Sequence, residues 1–187
     1  VFKDDSTMVE EFVEMGLHVS VETFADENGW DFKEDEHIRT FKEHLKSEQP
    51  DHIFFAVPPG DPRYQEKEYE FIMDIFDLQL REFRGATMEY PVRPTSSISR
   101  ALDNMNDCYD TWLSRCRTGL GVYSRGMKFH GLVDRETQFR TTSLDIAKGL
   151  SLDCECTRPH YYHRTDLPPH FEPKLVTLLA KLIVDDC

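Results

Sequence analysis

One short apolar segment constrains the fold more than any other feature of the sequence. Residues 52–57 read His-Ile-Phe-Phe-Ala-Val, and Pro-Pro-Gly follows at residues 58–60. A nearly continuous apolar run of this length, closed by turn residues, is typical of a strand buried on both faces in a parallel sheet. We therefore predict that residues 53–57 form a central buried strand whose carboxyl end leads into a functional loop.

Helical and strand-like patterns alternate around this segment. Apolar residues recur at helical spacing in some stretches and alternate with polar residues in others. We predict helices at residues 7–15, 36–47, 66–83, 97–112 and 173–184, and further strands at residues 17–22, 86–90 and within 117–134. This alternation predicts an α/β fold with a mostly parallel sheet and helices on both faces.

The chain length suits one domain. We predict that residues 1–187 form a single domain. Val1-Phe2 stands directly before Lys3-Asp4-Asp5, as expected if the domain was cut from a longer protein. In a parallel sheet ligands bind at the carboxyl ends of the strands, so the residues that follow each predicted strand are the first candidates for a site.

The charge balance weighs against a nucleic-acid partner. Asp and Glu outnumber Lys and Arg by 35 to 22, which gives a net charge of −13. Binding to phosphates requires clustered cations, and the arginines of this chain are scattered among acidic residues. We expect a protein partner or self-association rather than DNA.

Cysteine usage and hydropathy indicate an intracellular setting, nuclear or cytoplasmic. The five cysteines are odd in number and irregular in spacing, which favours reduced thiols over a disulfide framework. No apolar run approaches the roughly 18 residues of a membrane helix, so we expect no contact with a membrane.

Two strand ends carry a recognisable pair of motifs. Residues 55–60 read Phe-Ala-Val-Pro-Pro-Gly and residues 88–91 read Met-Glu-Tyr-Pro, with one predicted helix between them. This arrangement resembles the cytosine-5 DNA methyltransferases and related methyltransferase-like domains of some retroelements. In that family a Pro-Cys loop carries the nucleophile, and the next strand ends in a Glu-Asn motif. The resemblance implies a Rossmann-like methyltransferase fold and S-adenosylmethionine as the cofactor.

Weaker matches extend the likeness over nearly the whole chain. Glu22 is similar to the family's ribose-binding acid, and Asp31 to the acid that meets the adenine ring. Cys-Arg-Thr-Gly at residues 116–119, with Arg125, resembles a later strand pair that carries an arginine. The resemblance implies a cofactor site at Glu22, Asp31 and Pro58, and it makes Asp61, Glu89 and Arg125 the catalytic candidates.

The departures from the family decide the functional expectation. Gly60 stands where the family has its cysteine nucleophile, and residues 3–7 lack the glycines of the cofactor loop. We expect a catalytically degenerate domain that acts as a protein-binding or structural module, with S-adenosylmethionine or no cofactor. The alternatives are an active S-adenosylmethionine-dependent methyltransferase without a cysteine nucleophile, acting on nucleic acid or another substrate, and a Rossmann-like domain with another ligand or none.

A Cys/His cluster near the C-terminus has the chemistry of a zinc site. Cys154, Cys156, His160 and His163 offer thiolates and imidazoles within ten residues. Their spacing differs from that of zinc fingers, and four ligands so close in sequence require a tight knuckle. We therefore interpret them as loop residues of a reduced protein and expect no stoichiometric zinc.

Overall fold

The structure, a computed structural model, describes residues 6–20, 34–56, 66–90, 102–103, 105, 107–123, 129–133, 135–157, 160 and 173–186. Five helices lie in these ranges: α1 (Ser6–Glu14), α2 (Asp35–Glu48), α3 (Glu66–Arg81), α4 (Leu144–Leu150) and α5 (Pro173–Asp186). The strands are β1 (His52–Ala56), β2 (Gly85–Tyr90), β3 (Tyr109–Ser114), β4 (Gly121–Tyr123), β5 (Phe129–Leu132) and β6 (Glu136–Thr141). A 3₁₀ turn, Arg115–Thr118, follows β3 directly. No helix in these ranges is long and apolar enough to span a membrane.

The main sheet has four strands in the order β1-β2-β6-β3. β1 and β2 are parallel, with His52 opposite Gly85 and Ala56 opposite Glu89. β6 pairs antiparallel with β2 on one side and with β3 on the other. β4 and β5 form a separate two-stranded antiparallel sheet. The sheet is therefore mixed, with one parallel pair.

The predicted Rossmann-like, mostly parallel sheet is wrong. After β2 the described chain adds antiparallel strands, and β1 lies at one end of the strand order rather than at its centre. The apolar run suggested a central strand because helices cover both faces of β1. Ile53 and Phe55 are buried in one cluster and Phe54 in the other. A strand covered in this way has the same composition as a central parallel strand.

The helix predicted at residues 97–112 is also wrong over its last part, where β3 begins at Tyr109. Thr111 and Leu113 are buried and Trp112 is exposed, so these residues alternate with the two-residue period of a strand. No regular structure forms at residues 17–20, where a strand was expected. The other predicted helices, at residues 7–15, 36–47, 66–83 and 173–184, are confirmed to within three residues at each end.

Helices α2 and α3 cover one face of the sheet. Phe55 is fully buried there, and its ring stacks on Phe76 with centroids 6.1 Å apart. Phe41 of α2 meets Phe71 of α3 edge to face at 5.5 Å. Gln79, buried in α3, donates to the carbonyls of Pro50 and Gly85, which ties the starts of β1 and β2 to the helix.

Helices α1, α4 and α5 cover the other face. Phe54 of β1, Leu113 of β3 and Phe139 of β6 pack there in one cluster with the apolar face of α5. Ser143 caps α4 by accepting a hydrogen bond from the backbone N–H of Ile146. The described residues thus form three layers, with the sheet between two groups of helices.

Candidate metal centre

The 3₁₀ turn after β3 places one buried cysteine. Cys116 lies in this turn, and the backbone N–H of Arg115 donates to the carbonyl of Arg135 at 2.8 Å. The hydroxyl of Thr118 donates to the carbonyl of Arg115 at 2.9 Å. Gly119 ends the turn with φ 91°, a left-handed conformation that favours glycine. Hydrogen bonds therefore fix the backbone of the turn on both sides of Cys116.

A second segment runs beside β3 and brings in further cysteines. Leu152 forms a parallel bridge with Leu113, donates to the carbonyl of Trp112 at 3.3 Å, and accepts from the N–H of Ser114 at 2.9 Å. Because the two segments run in the same direction, the residues that follow them lie side by side. Cys154 therefore comes to lie beside Cys116.

Four metal-ligand atoms converge at this point. The Sγ atoms of Cys116, Cys154 and Cys156 and one ring nitrogen of His160 all lie within 4.8 Å of one another. Cys154 Sγ is 3.4 Å from His160 Nε2 and accepts a hydrogen bond of 3.4 Å from the backbone N–H of Cys156. Tetrahedral zinc, with bonds of about 2.0–2.3 Å, would separate its ligand atoms by roughly 3.3–3.8 Å. The Cys154–His160 separation already falls in this range, and the widest separations in the cluster would have to close by up to about 1 Å.

The surroundings of Cys116 favour its neutral thiol over the thiolate. Burial, and then hydrogen bonding with the thiols of Cys154 and Cys156, raises the pKa of Cys116 to about 12, so a metal ion would have to displace this proton. A bound divalent ion would stabilise the thiolates that burial and mutual repulsion disfavour. An ion pair between Arg117 and Glu155 also joins the 3₁₀ turn to the Cys154–Cys156 segment.

Three of the sequence-predicted zinc candidates meet in the structure, and the fourth ligand is a residue that the sequence analysis did not select. Cys154, Cys156 and His160 lie together, whereas His163 is outside the described residues. Cys116 takes the fourth position. Cys116 precedes Cys154 by 38 residues, so spacing in the sequence does not connect the two. Only the strand-like contact between Leu113 and Leu152 would have indicated that they lie together.

Glu89, one of the predicted catalytic residues, is part of a buried ion pair. Its carboxylate lies 3.3 Å from the guanidinium of Arg115, which also donates to Thr137 Oγ1 at 3.2 Å. The Arg115 side chain is only 5% exposed and that of Glu89 16%. The other predicted site residues lie outside the described residues: Glu22, Asp31, Pro58, Asp61 and Arg125.

A cavity of about 340 Å³ lies near the amino end of β1, between α1 and α2. Its wall is partly apolar, with Phe12, Phe41 and Ile53, and partly polar, with His44 and Asp51. This is the opposite end of β1 from the carboxyl end, where the predicted parallel sheet would bind its ligand.

Comparisons with protein-family models, with curated proteins and with solved structures find no match to this chain.

Proposed function

We propose that this chain is a non-catalytic structural module that binds one Zn²⁺ through Cys116, Cys154, Cys156 and His160. The observation that carries the proposal is the convergence of four zinc-type ligand atoms from two separate segments. Four protein ligands would complete a tetrahedral shell and leave no open position for substrate or water. Such closed shells are typical of structural zinc sites, whereas catalytic sites keep one position open.

The ligand set selects the ion. Three thiolates and one imidazole are soft or borderline donors, which zinc binds well and which magnesium and calcium avoid. Carboxylates of Asp153 and Glu155 flank the cluster in sequence and are exposed, but they are not needed as ligands. The proposal replaces the expectation of a zinc-free chain, which depended on the spacing of Cys154 to His163 alone.

The proposed ion would act as a cross-link. It would join the 3₁₀ turn after β3 to a segment, residues 153–157, that contributes no residue to either apolar cluster. With so little apolar burial of its own, this segment depends on other contacts for its position. Metal binding to a site that forms only on folding contributes its binding free energy to stability.

A non-catalytic role agrees with the state of Glu89. The ion pair with Arg115 engages the carboxylate that the methyltransferase resemblance would reserve for a substrate. With a net charge of −13, we propose a protein rather than DNA as the partner of the module, since the charge opposes a polyanion.

The test is the metal content and metal-dependent stability of the purified chain. We expect one zinc per chain by elemental analysis and a lower Tm after chelation, restored by added Zn²⁺. Replacing the bound ion with Co²⁺ should give the visible absorption of tetrahedral cobalt with thiolate ligands. A zinc-free chain that does not take up Zn²⁺ on refolding would refute the proposal.

Two variants test the ligands against a matched control. Cys116→Ser and His160→Ala should lose stoichiometric zinc, because each leaves three protein ligands. Cys108→Ser changes another free cysteine, outside the cluster, and should keep the metal. His160 is only half-buried, so its variant should fold even if the buried Cys116 does not tolerate replacement. Full zinc retention in His160→Ala would show that His160 is not a zinc ligand.

A further inference from the structure

The three thiols of the cluster differ in their access to solvent. Cys154 is exposed, Cys156 is half-buried and Cys116 is buried. A dissolved oxidant therefore reaches Cys154 first. The other sulfurs stand behind it, within 4.8 Å.

Cys154 is also held by its neighbours in the cluster. Its Sγ accepts a hydrogen bond from the backbone N–H of Cys156 and lies 3.4 Å from His160 Nε2. In the zinc-bound state it would be held as a thiolate, which is the form that reacts with peroxides. Exposure and thiolate character are the two properties that make a cysteine susceptible to oxidation.

We propose that Cys154 is a modification site for hydroperoxides, and that its oxidation leads to a disulfide with Cys116 and to release of the metal. This inference rests on the proposed zinc site. The Cys154 thiolate attacks the peroxide O–O bond, forms a sulfenic acid and releases hydroxide. The Cys116 thiolate then attacks the sulfenic sulfur, forms the S–S bond and releases a second hydroxide. Two thiolates are oxidised by two electrons and one hydrogen peroxide is reduced.

Geometry favours Cys116 over Cys156 as the partner. Cys156 is two residues from Cys154 in the same segment, and a disulfide across one intervening residue closes a small, strained ring. Cys116 approaches from the separate 3₁₀ turn, so no such ring forms. Cys156 and His160 alone would remain as ligands, too few for a closed zinc shell.

Cys108 supplies an internal comparison. It lies outside the cluster, and burial raises its pKa to about 11. It is therefore almost entirely protonated at neutral pH and should react slowly. The contrast between Cys154 and Cys108 separates a reactive site from general thiol oxidation.

The experiment exposes the zinc-loaded full chain to hydrogen peroxide and follows metal release with a chromogenic chelator. Alkylation and peptide mapping identify the oxidised residues. We expect one zinc released per disulfide formed, a Cys116–Cys154 linkage, reduced Cys108, and recovery of zinc binding after treatment with a thiol reductant and Zn²⁺.

The variant Cys154→His tests the oxidation step. Histidine forms no sulfenic acid, so the zinc that this variant holds, measured before peroxide is added, should be released by peroxide at least about tenfold more slowly than from the unchanged chain. Cys108→Ser should release zinc at the rate of the unchanged chain.

The outcomes distinguish this inference from the proposed function. An untreated chain without zinc refutes the zinc site itself. A zinc-loaded chain that forms a Cys154–Cys156 disulfide, leaves Cys154 reduced, or keeps its zinc under peroxide refutes the inference and leaves the zinc site standing. If Cys154→His binds no zinc, peptide mapping of the peroxide-treated unchanged chain tests the inference by showing whether Cys154 is joined to Cys116.

Discussion

The two halves of the sheet differ in what is buried inside them. The half built from β1, α3 and β2 is held mainly by apolar contacts, with Phe55, Ile75 and Ala86 fully buried. The half built from β3, the 3₁₀ turn and β6 buries polar groups. Of the eight buried polar or charged residues among those described, six lie between residues 111 and 141. The first half therefore depends mainly on apolar burial, whereas the second adds buried polar groups, most of them hydrogen-bonded, to an apolar core that includes Leu113 and Phe139.

This difference has a physical consequence. A buried apolar side chain needs only to be covered, whereas a buried charge needs a partner in the right geometry. Arg140 shows the requirement: its guanidinium forms two hydrogen bonds of 2.7 Å to Asp110 and donates to the carbonyl of Leu102. We expect the second half to be more sensitive to single polar changes and to metal removal than the first.

The largest effect is expected from Phe55→Ala in the first half. This change removes a fully buried ring and should lower the free energy of unfolding by about 3–5 kcal/mol. Denaturant titration measures the loss, and Val13→Ala, at a position that is 55% exposed, serves as the control with an effect below about 0.5 kcal/mol. The zinc content of Phe55→Ala should equal that of the unchanged chain under native conditions. A loss below about 1 kcal/mol would contradict apolar burial as the basis of this half.

A somewhat smaller effect is expected where the two halves are joined. Arg115→Met removes the guanidinium that pairs with the Glu89 carboxylate and should cost about 3 kcal/mol, the lower end of the range for buried pairs because Glu89 is 16% exposed. Arg117→Met, in the neighbouring exposed pair with Glu155, should cost less than about 1 kcal/mol.

A double variant separates charge from packing at this junction. Arg115→Met with Glu89→Met removes both charges, and it should recover part of the stability that Arg115→Met loses. Equal costs for the single and the double variant would show that the ion pair is not what joins β2 to the 3₁₀ turn.

The smallest effect at neutral pH concerns His52 in the first half. Its Nε2 lies 3.0 Å from Thr87 Oγ1, and its buried Nδ1 has no hydrogen-bond partner among the described residues. Burial lowers the pKa of His52 to about 4. The unfolded chain therefore takes up this proton first as the pH falls below about 6.5, and the folded chain follows near pH 4.

Protonation of His52 in the unfolded chain should therefore leave the free energy of unfolding unchanged above about pH 7 and lower it by up to about 3 kcal/mol at pH 4. The loss develops between these two pH values. Denaturant titrations of the unchanged chain and of His52→Gln across this range measure it. Subtracting one stability curve from the other removes the contribution of proton uptake by the metal ligands, because the two chains share those ligands. Parallel stability curves would mean that folding does not lower the pKa of His52.

Prediction from sequence succeeded where local patterns carry the information. Examples are the helical spacing of apolar residues in α2 and α3 and the apolar run of β1. Burial of one or both faces of an element sets the spacing of its apolar residues, so the pattern is visible within that element's own sequence. Gly85, at the start of β2, is different, because it responds to a tertiary contact: a Cβ there would clash with the side chain of His52 on the neighbouring strand.

The sequence by itself thus determined an α/β chain with most of its helices, the apolar strand β1 and a Cys/His set with the chemistry of a zinc site. Only the tertiary structure decided that β1 lies at the end of the strand order, that β6 separates β2 from β3, and that Cys116 completes the cluster. Strand order and ligand sets depend on pairings between distant segments, such as Leu113 with Leu152. Neither partner of such a pairing shows it in its own residues, because the hydrogen bonds that form it belong to the backbone.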